Sequence, residues 1–133
     1  MIGLLITSHG DFAKALVESA FMLAGETEQI ANAGLYTGEA PEAFYERLAA
    51  CVDQVDTGDG AVVLADVFGG TPCNTAVRLS REKNIRIVTG ANMPMMLYAC
   101  TERTETTSLQ EMVDGLIAAG SEGCCEFQVP GRQ

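Results

Sequence analysis

His9 is the only histidine of the chain, and it stands in the stretch ITSHGDF (residues 6–12), between an apolar run and the start of a helical pattern. Imidazole offers one ring nitrogen as acceptor or nucleophile when the other is held by a partner. A partner of the right type exists. Asp66 directly follows the apolar run AVVLA, where a carboxylate is costly unless it is paired or solvated. A carboxylate that accepts from one ring nitrogen fixes the tautomer and turns the other nitrogen outward as a nucleophile. It also stabilises the cation formed when that nitrogen takes a phosphoryl group. The stretch FGGTP (68–72) adds the hydroxyl of Thr71 together with Gly69 and Gly70, which permit positive φ and close backbone approach. Each feature has a plainer reading too: His9 as a helix-start residue bonding backbone or water, Asp66 as a turn carboxylate, FGGTP as a glycine-rich turn before a capped helix. Their joint placement decides between the two.

That placement depends on the elements. IGLLI (2–6) and AVVLA (61–65) are continuous apolar runs, the signature of strands covered on both faces. IANAGL (30–35) and IRIVT (85–89) are two further strands. From Asp11, the spacing of Phe12, Leu16 and Leu23 predicts a helix that Gly25 stops. Pro41 opens a second helix, with Phe44, Leu48, Ala49 and Val52 on its apolar face. Thr71 and Pro72 read as N-cap and first residue of a third, running to about Lys83. Pro94 opens a short fourth helix, whose Met93, Met95, Met96 and Leu97 read as core or interface. Ser108 and Glu111 have capping-box spacing for a fifth, with Gly120 as its end. CCEFQV (124–129) reads as a final short strand, and residues 130–133 as a frayed tail. Alternation of this kind implies an α/β fold with a mainly parallel sheet and helices on both faces. Ligands of such folds bind beyond the carboxyl ends of the strands, where strand order reverses. His9, Asp66 and Asn92 each follow a strand, so all three are expected on that one rim.

Composition narrows the function classes. A chain of 133 residues, 47% apolar, is expected to form a single domain spanning 1–133. A net charge of -10 argues against nucleic acid or an anionic membrane surface as partner. No run is long enough for a signal peptide or membrane span, so the expected location is cytoplasmic, without membrane insertion. Five cysteines without C-x-x-C spacing, beside one histidine, speak against a zinc site, and they read as reduced, mostly buried thiols. FGGTP lacks the Gly-Lys-Ser/Thr ending of a P-loop, no G-x-G-x-x-G follows the first strand, and no nucleophile elbow is present. Neither metal nor cofactor is implied.

Three motifs carry a resemblance: LLITSHGDFAKALVESAFMLAG (4–25), VVLADVFGGTPCNTAVRL (62–79) and VTGANMPMML (88–97). In this order and spacing they resemble the enzyme IIA component of the mannose-type sugar phosphotransferase system (PTS), over roughly residues 2 to 126. The resemblance implies a phosphoryl carrier that accepts from the phosphocarrier protein HPr on histidine and passes the group to a IIB component. IIB then phosphorylates a sugar taken up through membrane components IIC and IID. It places the family histidine on His9, its aspartate on Asp66 and its phosphate-site hydroxyl on Thr71. It also implies a doubly wound sheet of order 2-1-3-4 and a homodimer in which a C-terminal strand, here CCEFQV, pairs with the partner's sheet. Two departures stand out. Cys73 replaces the phenylalanine expected after GGTP, and Thr7-Ser8 replaces the commoner Ala-Thr before the histidine. Since the sequence accounts for one domain, IIB is expected as a separate polypeptide.

The expected chemistry is reversible phosphoryl transfer through phospho-His9. Nε2 attacks phosphorus, Asp66 holds Nδ1–H, and Thr71 with the amides around Gly10, Gly69 and Gly70 binds the phosphoryl oxygens. Phe12, Met22 and Phe68 are expected to form an apolar collar for the partner. Two rivals remain open: a regulatory phospho-histidine module without a transport role, and the phosphotransfer subunit of dihydroxyacetone kinase.

Overall fold

In the computed structural model, which describes residues 1–132, the run after Met1 becomes the inner strand β1 (Gly3–His9). It is followed by α1 (Phe12–Ala24), β2 (Ile30–Leu35), α2 (Pro41–Val55), β3 (Ala61–Ala65), α3 (Thr71–Leu79), β4 (Ile85–Thr89), α4 (Met93–Glu102) and α5 (Leu109–Glu122). The four strands form one sheet of order β2-β1-β3-β4, every pair parallel. The predicted doubly wound α/β architecture is therefore present.

Period-two alternation splits the buried residues between two cores. Leu4, Ile6, Val62 and Leu64 face α1, α4 and α5, whereas Leu5, Ala61 and Val63 face α2 and α3. Right-handed crossovers demand this layering. The first crossover moves from β1 to β2 and the next returns over β1 to β3, so their helices lie on opposite faces. Strand order thus reverses between β1 and β3, and a crevice opens at their carboxyl ends. At the other end of the sheet, buried Arg103 donates to the carbonyls of Ile2 and Gln29 at 3.0 Å and to that of Glu28, tying down the edge remote from the crevice.

Several local expectations change. Gly70, in an extended conformation, is the N-cap of α3, so Thr71 is its first residue and Pro72 its second. This helix ends at Leu79 and not near Lys83; its chain continues as a turn in which the amides of Glu82 and Lys83 reach back to the Leu79 carbonyl. α5 begins with the predicted capping box but runs past Gly120 to Glu122. Gly120 serves packing: a Cβ there would lie 2.6 Å from Met95 Cε, so α4 and α5 approach closely at that point. Met95 and Met96 are core, as their spacing suggests.

Residues 124–129 pair with no strand of this chain and are exposed, so CCEFQV is not a strand of the chain by itself. In the expected tail, Pro130 and Gly131 form a turn, with the Arg132 amide on the Val129 carbonyl at 3.2 Å; Gln133 lies outside the described residues. Only Cys73 is fully buried. Cys51 and Cys100 are half-buried, and Cys124 and Cys125 are exposed, contrary to the expectation of mostly buried thiols. Among the described residues, no helix is long and apolar enough to cross a membrane.

Candidate active site

The register of β1 and β3 pairs Thr7 with Ala65, so the residues that follow each strand emerge side by side. His9 Nδ1 lies 2.8 Å from Oδ2 of Asp66, and the backbone amide of His9 donates to the same oxygen at 3.0 Å. The other carboxylate oxygen accepts from the Val67 amide at 3.0 Å. Burial opposes the charge on Asp66, but the hydrogen bonds from His9 and Val67 outweigh it and hold the carboxyl below the usual aspartate range. An ionised carboxylate only accepts, so Nδ1 is the protonated nitrogen and Nε2 keeps its lone pair. The Asp66 side chain is 15% exposed and that of His9 54%. The carboxylate is therefore sheltered while the ring reaches solvent.

Beneath the ring lies Gly70. A Cβ at that position would stand 2.9 Å from His9 Cε1 and 3.6 Å from Nε2, so only glycine lets the backbone approach the ring this closely. Gly69 supplies the left-handed φ of +80° that the turn requires, and Asn74 Nδ2 donates to its carbonyl at 2.9 Å. Thr71 follows at the exposed start of α3, where the first amides lack intrahelical acceptors. His9, Gly10, Leu35, Tyr36, Thr37, Gly38, Glu39, Pro41 and Thr71 line a cleft of about 460 Å³. None of these is lysine or arginine, and the one carboxylate, Glu39, is paired with Arg47 at 2.9 Å, so an anion in the cleft would meet mainly hydroxyls, amides and helix ends.

The structure alters the roles of several predicted residues. Gly10 adopts a φ of +56° and its amide donates to the Leu35 carbonyl at 2.7 Å. That amide is occupied, so Gly10 shapes the turn, and the amides of Asp11 and Phe12 at the start of α1 are the ones left to face a ligand. Asn92 is not in the site, because its side chain caps α4 by accepting from the Met95 amide at 3.1 Å. Met22 does not join Phe12 in the expected collar. Met22, 88% exposed, sits ten residues along α1 from Phe12, about 15 Å away at helical rise. Phe68, 90% exposed, borders a different groove with Ile87, Val88, Thr89, Met95 and Ile117 on the β4 side. Phe12 stands three residues after His9, at the start of α1.

Three contributors lay outside the predicted set. Ser8 is fully buried and its Oγ accepts from the Ala13 amide at 2.8 Å, doing the capping that Asp11 does not. The Tyr36 hydroxyl donates to the Asp11 carboxylate, which pushes the tyrosine pKa above its ordinary value and keeps it a donor. Gly34 on β2 packs directly on the Gly10 carbonyl. A small hydroxyl residue before a glycine turn was a weak signal for Ser8. Gly34 and Tyr36 left none, because their partners are distant in sequence.

Comparison with known proteins fits this geometry. A family model described as "PTS system fructose IIA component" matches residues 3–117. The mannose-specific EIIAB component of Escherichia coli (strain K12) is 32% identical over 123 residues, covering 92% of this chain but 38% of that protein's length. The fructose-specific EIIA component of Bacillus subtilis (strain 168) is 29% identical over 130 residues, 97% of this chain and 86% of the relative. Among solved structures, the mannose/sorbose-specific IIA subunit from Enterococcus faecalis superposes with a TM-score of 0.88 at 27% identity. That match covers 99% of this chain and 98% of the other.

Proposed function

The chain belongs to the PTS fructose IIA component family, of the mannose, fructose and sorbose type, and on that premise we propose that it carries a phosphoryl group on Nε2 of His9. The donor in this reading is phospho-HPr and the acceptor a separate IIB component, which serves the membrane components IIC and IID. The observation that carries it is the 2.8 Å contact between Nδ1 and Asp66, which leaves Nε2 as the free nitrogen at a cleft shared with Thr71.

In the forward step the Nε2 lone pair attacks phosphorus in line, the bond from phosphorus to the donor nitrogen breaks, and the donor keeps that electron pair. Asp66 remains ionised, retains Nδ1–H and balances the positive charge that develops on the ring. The Thr71 hydroxyl and the first amides of α3 and α1 face the three phosphoryl oxygens. One such donor typically contributes about 3 kcal/mol of transition-state stabilisation. Little covalent work falls to the protein, so positioning and charge stabilisation dominate. Onward transfer to a IIB nucleophile mirrors this step: the acceptor's lone pair attacks phosphorus, the bond from phosphorus to Nε2 breaks, and Nε2 keeps that electron pair.

Incubation with phosphoenolpyruvate, enzyme I and HPr tests the assignment. Intact-mass analysis should show one phosphoryl group on the wild type and none on His9→Ala; equal labelling of the variant overturns it.

A further inference from the structure

We propose that Ser8 and Gly34 are positioning residues for His9, acting through the two peptides that follow it; the proposal rests on the phosphoryl-transfer reading above. The peptide between His9 and Gly10 is held by its amide, which donates to the Leu35 carbonyl at 2.7 Å. The next carbonyl, that of Gly10, faces the Ser8 Oγ at 3.4 Å and rests against Gly34. A Cβ on Gly34 would stand only 2.0 Å from that carbonyl oxygen, and Gly34 does not adopt a positive φ. An alanine there is conformationally acceptable to the strand, and its cost is steric pressure on the turn that carries His9.

Ser8 is the node of this arrangement. Its buried hydroxyl spans His9, taking the Ala13 amide of α1 on one side and approaching the Gly10 carbonyl on the other. Removing it orphans a buried amide and frees the turn at once. The carboxyl end of β2 completes the template, since Gly34, Leu35 and Tyr36 in succession engage the Gly10 carbonyl, the Gly10 amide and the Asp11 carboxylate. β2 is an edge strand, but Arg47, paired with Glu39 at 2.9 Å, also donates to the Gly34 carbonyl and holds that edge in place.

The test compares Ser8→Ala, Ser8→Thr and Gly34→Ala with wild type, at a temperature well below every melting transition. Single-turnover phosphoryl uptake from phospho-HPr is measured beside the ring nitrogen and Nδ1–H resonances of His9. Displacing a reacting group by about 1 Å can slow a reaction about a hundredfold. Ser8→Ala and Gly34→Ala are expected to lose a factor of that order while the His9 resonances shift, and Ser8→Thr, which keeps the hydroxyl, is expected to stay near wild type. Wild-type rates and unshifted resonances in Ser8→Ala overturn the proposal, as does a Ser8→Thr variant as slow as Ser8→Ala. Should Gly34→Ala fold poorly, the Ser8 pair decides. Absence of label on wild-type His9 would refute the phosphoryl-transfer reading instead, and the resonances would still report whether the clamp sets the ring.

Discussion

Both donors of His9, its amide and its ring, fall on one oxygen of Asp66, and the Val67 amide takes the other. Asp66→Asn keeps the size but brings an NH₂ group that can donate to Nδ1, which would move the ring proton to Nε2 and block the nucleophile. Uptake of the phosphoryl group is expected to fall by roughly two to four orders of magnitude, read by single-turnover kinetics. The same carboxylate has a pH signature. Its folded-state pKa lies below the ordinary value, so its stabilising contribution is complete above about pH 4 and is lost as pH falls through the folded value. The stability gap between wild type and Asp66→Asn in urea melts should therefore hold through neutral pH and narrow below about pH 4. A gap that widens on acidification would mean that another group dominates.

At the level of elements, the helix ends carry the next prediction. Ser108 and Glu111 exchange both capping-box hydrogen bonds at the start of α5. Ser108→Ala should cost about 1 kcal/mol of stability, measured by thermal or chemical unfolding, with no change in phosphoryl uptake, because α5 touches nothing in the cleft. This box was legible in sequence because it is local, as were β1 and β3 from their continuous apolar runs, β2 and β4 from weaker ones, and the pairing of His9 with Asp66, which follows from two strand ends and the topology. What resisted reading depends on packing across elements. Gly120 resembles a helix stop until Met95 is seen against it, and Thr71 resembles an N-cap until Gly70 is seen to take that role in extended form. Met22 lies within a matching motif, yet helical rise carries it away from the rim. Ser8 adjoins His9 in sequence, but its side chain turns into the core, and that inward direction is what lets it cap α1.

At the scale of the whole molecule, the sheet ends in an edge strand. β4 is the last strand of the sheet, with a groove of about 390 Å³ beside it lined by Phe68, Ile87, Val88, Thr89, Met95, Ile117 and Ser121. The extended stretch 124–129 leaves Phe127 and Val129 exposed. We propose a homodimer in which this stretch of one copy pairs along β4 of the other, covering an edge that would otherwise invite uncontrolled pairing. Light scattering after size-exclusion chromatography should give a dimer for the full chain and a monomer for a version truncated after Gly123. A monomeric full chain would refute the exchange.

The absence of lysine and arginine from the cleft lining has a consequence for the direction of traffic. A deep pocket with a fixed cation would bind phosphate so well that the group became hard to dislodge. Under the proposed phosphoryl transfer, a half-exposed ring beside hydroxyls and amides would let water screen the charge, so a phosphoryl group on Nε2 would stay easy to pass on. On that reading, a carrier so built would leave net flow to the relative supply of its phosphoryl donor and acceptor. The phosphorylated fraction of the protein would then read out that balance.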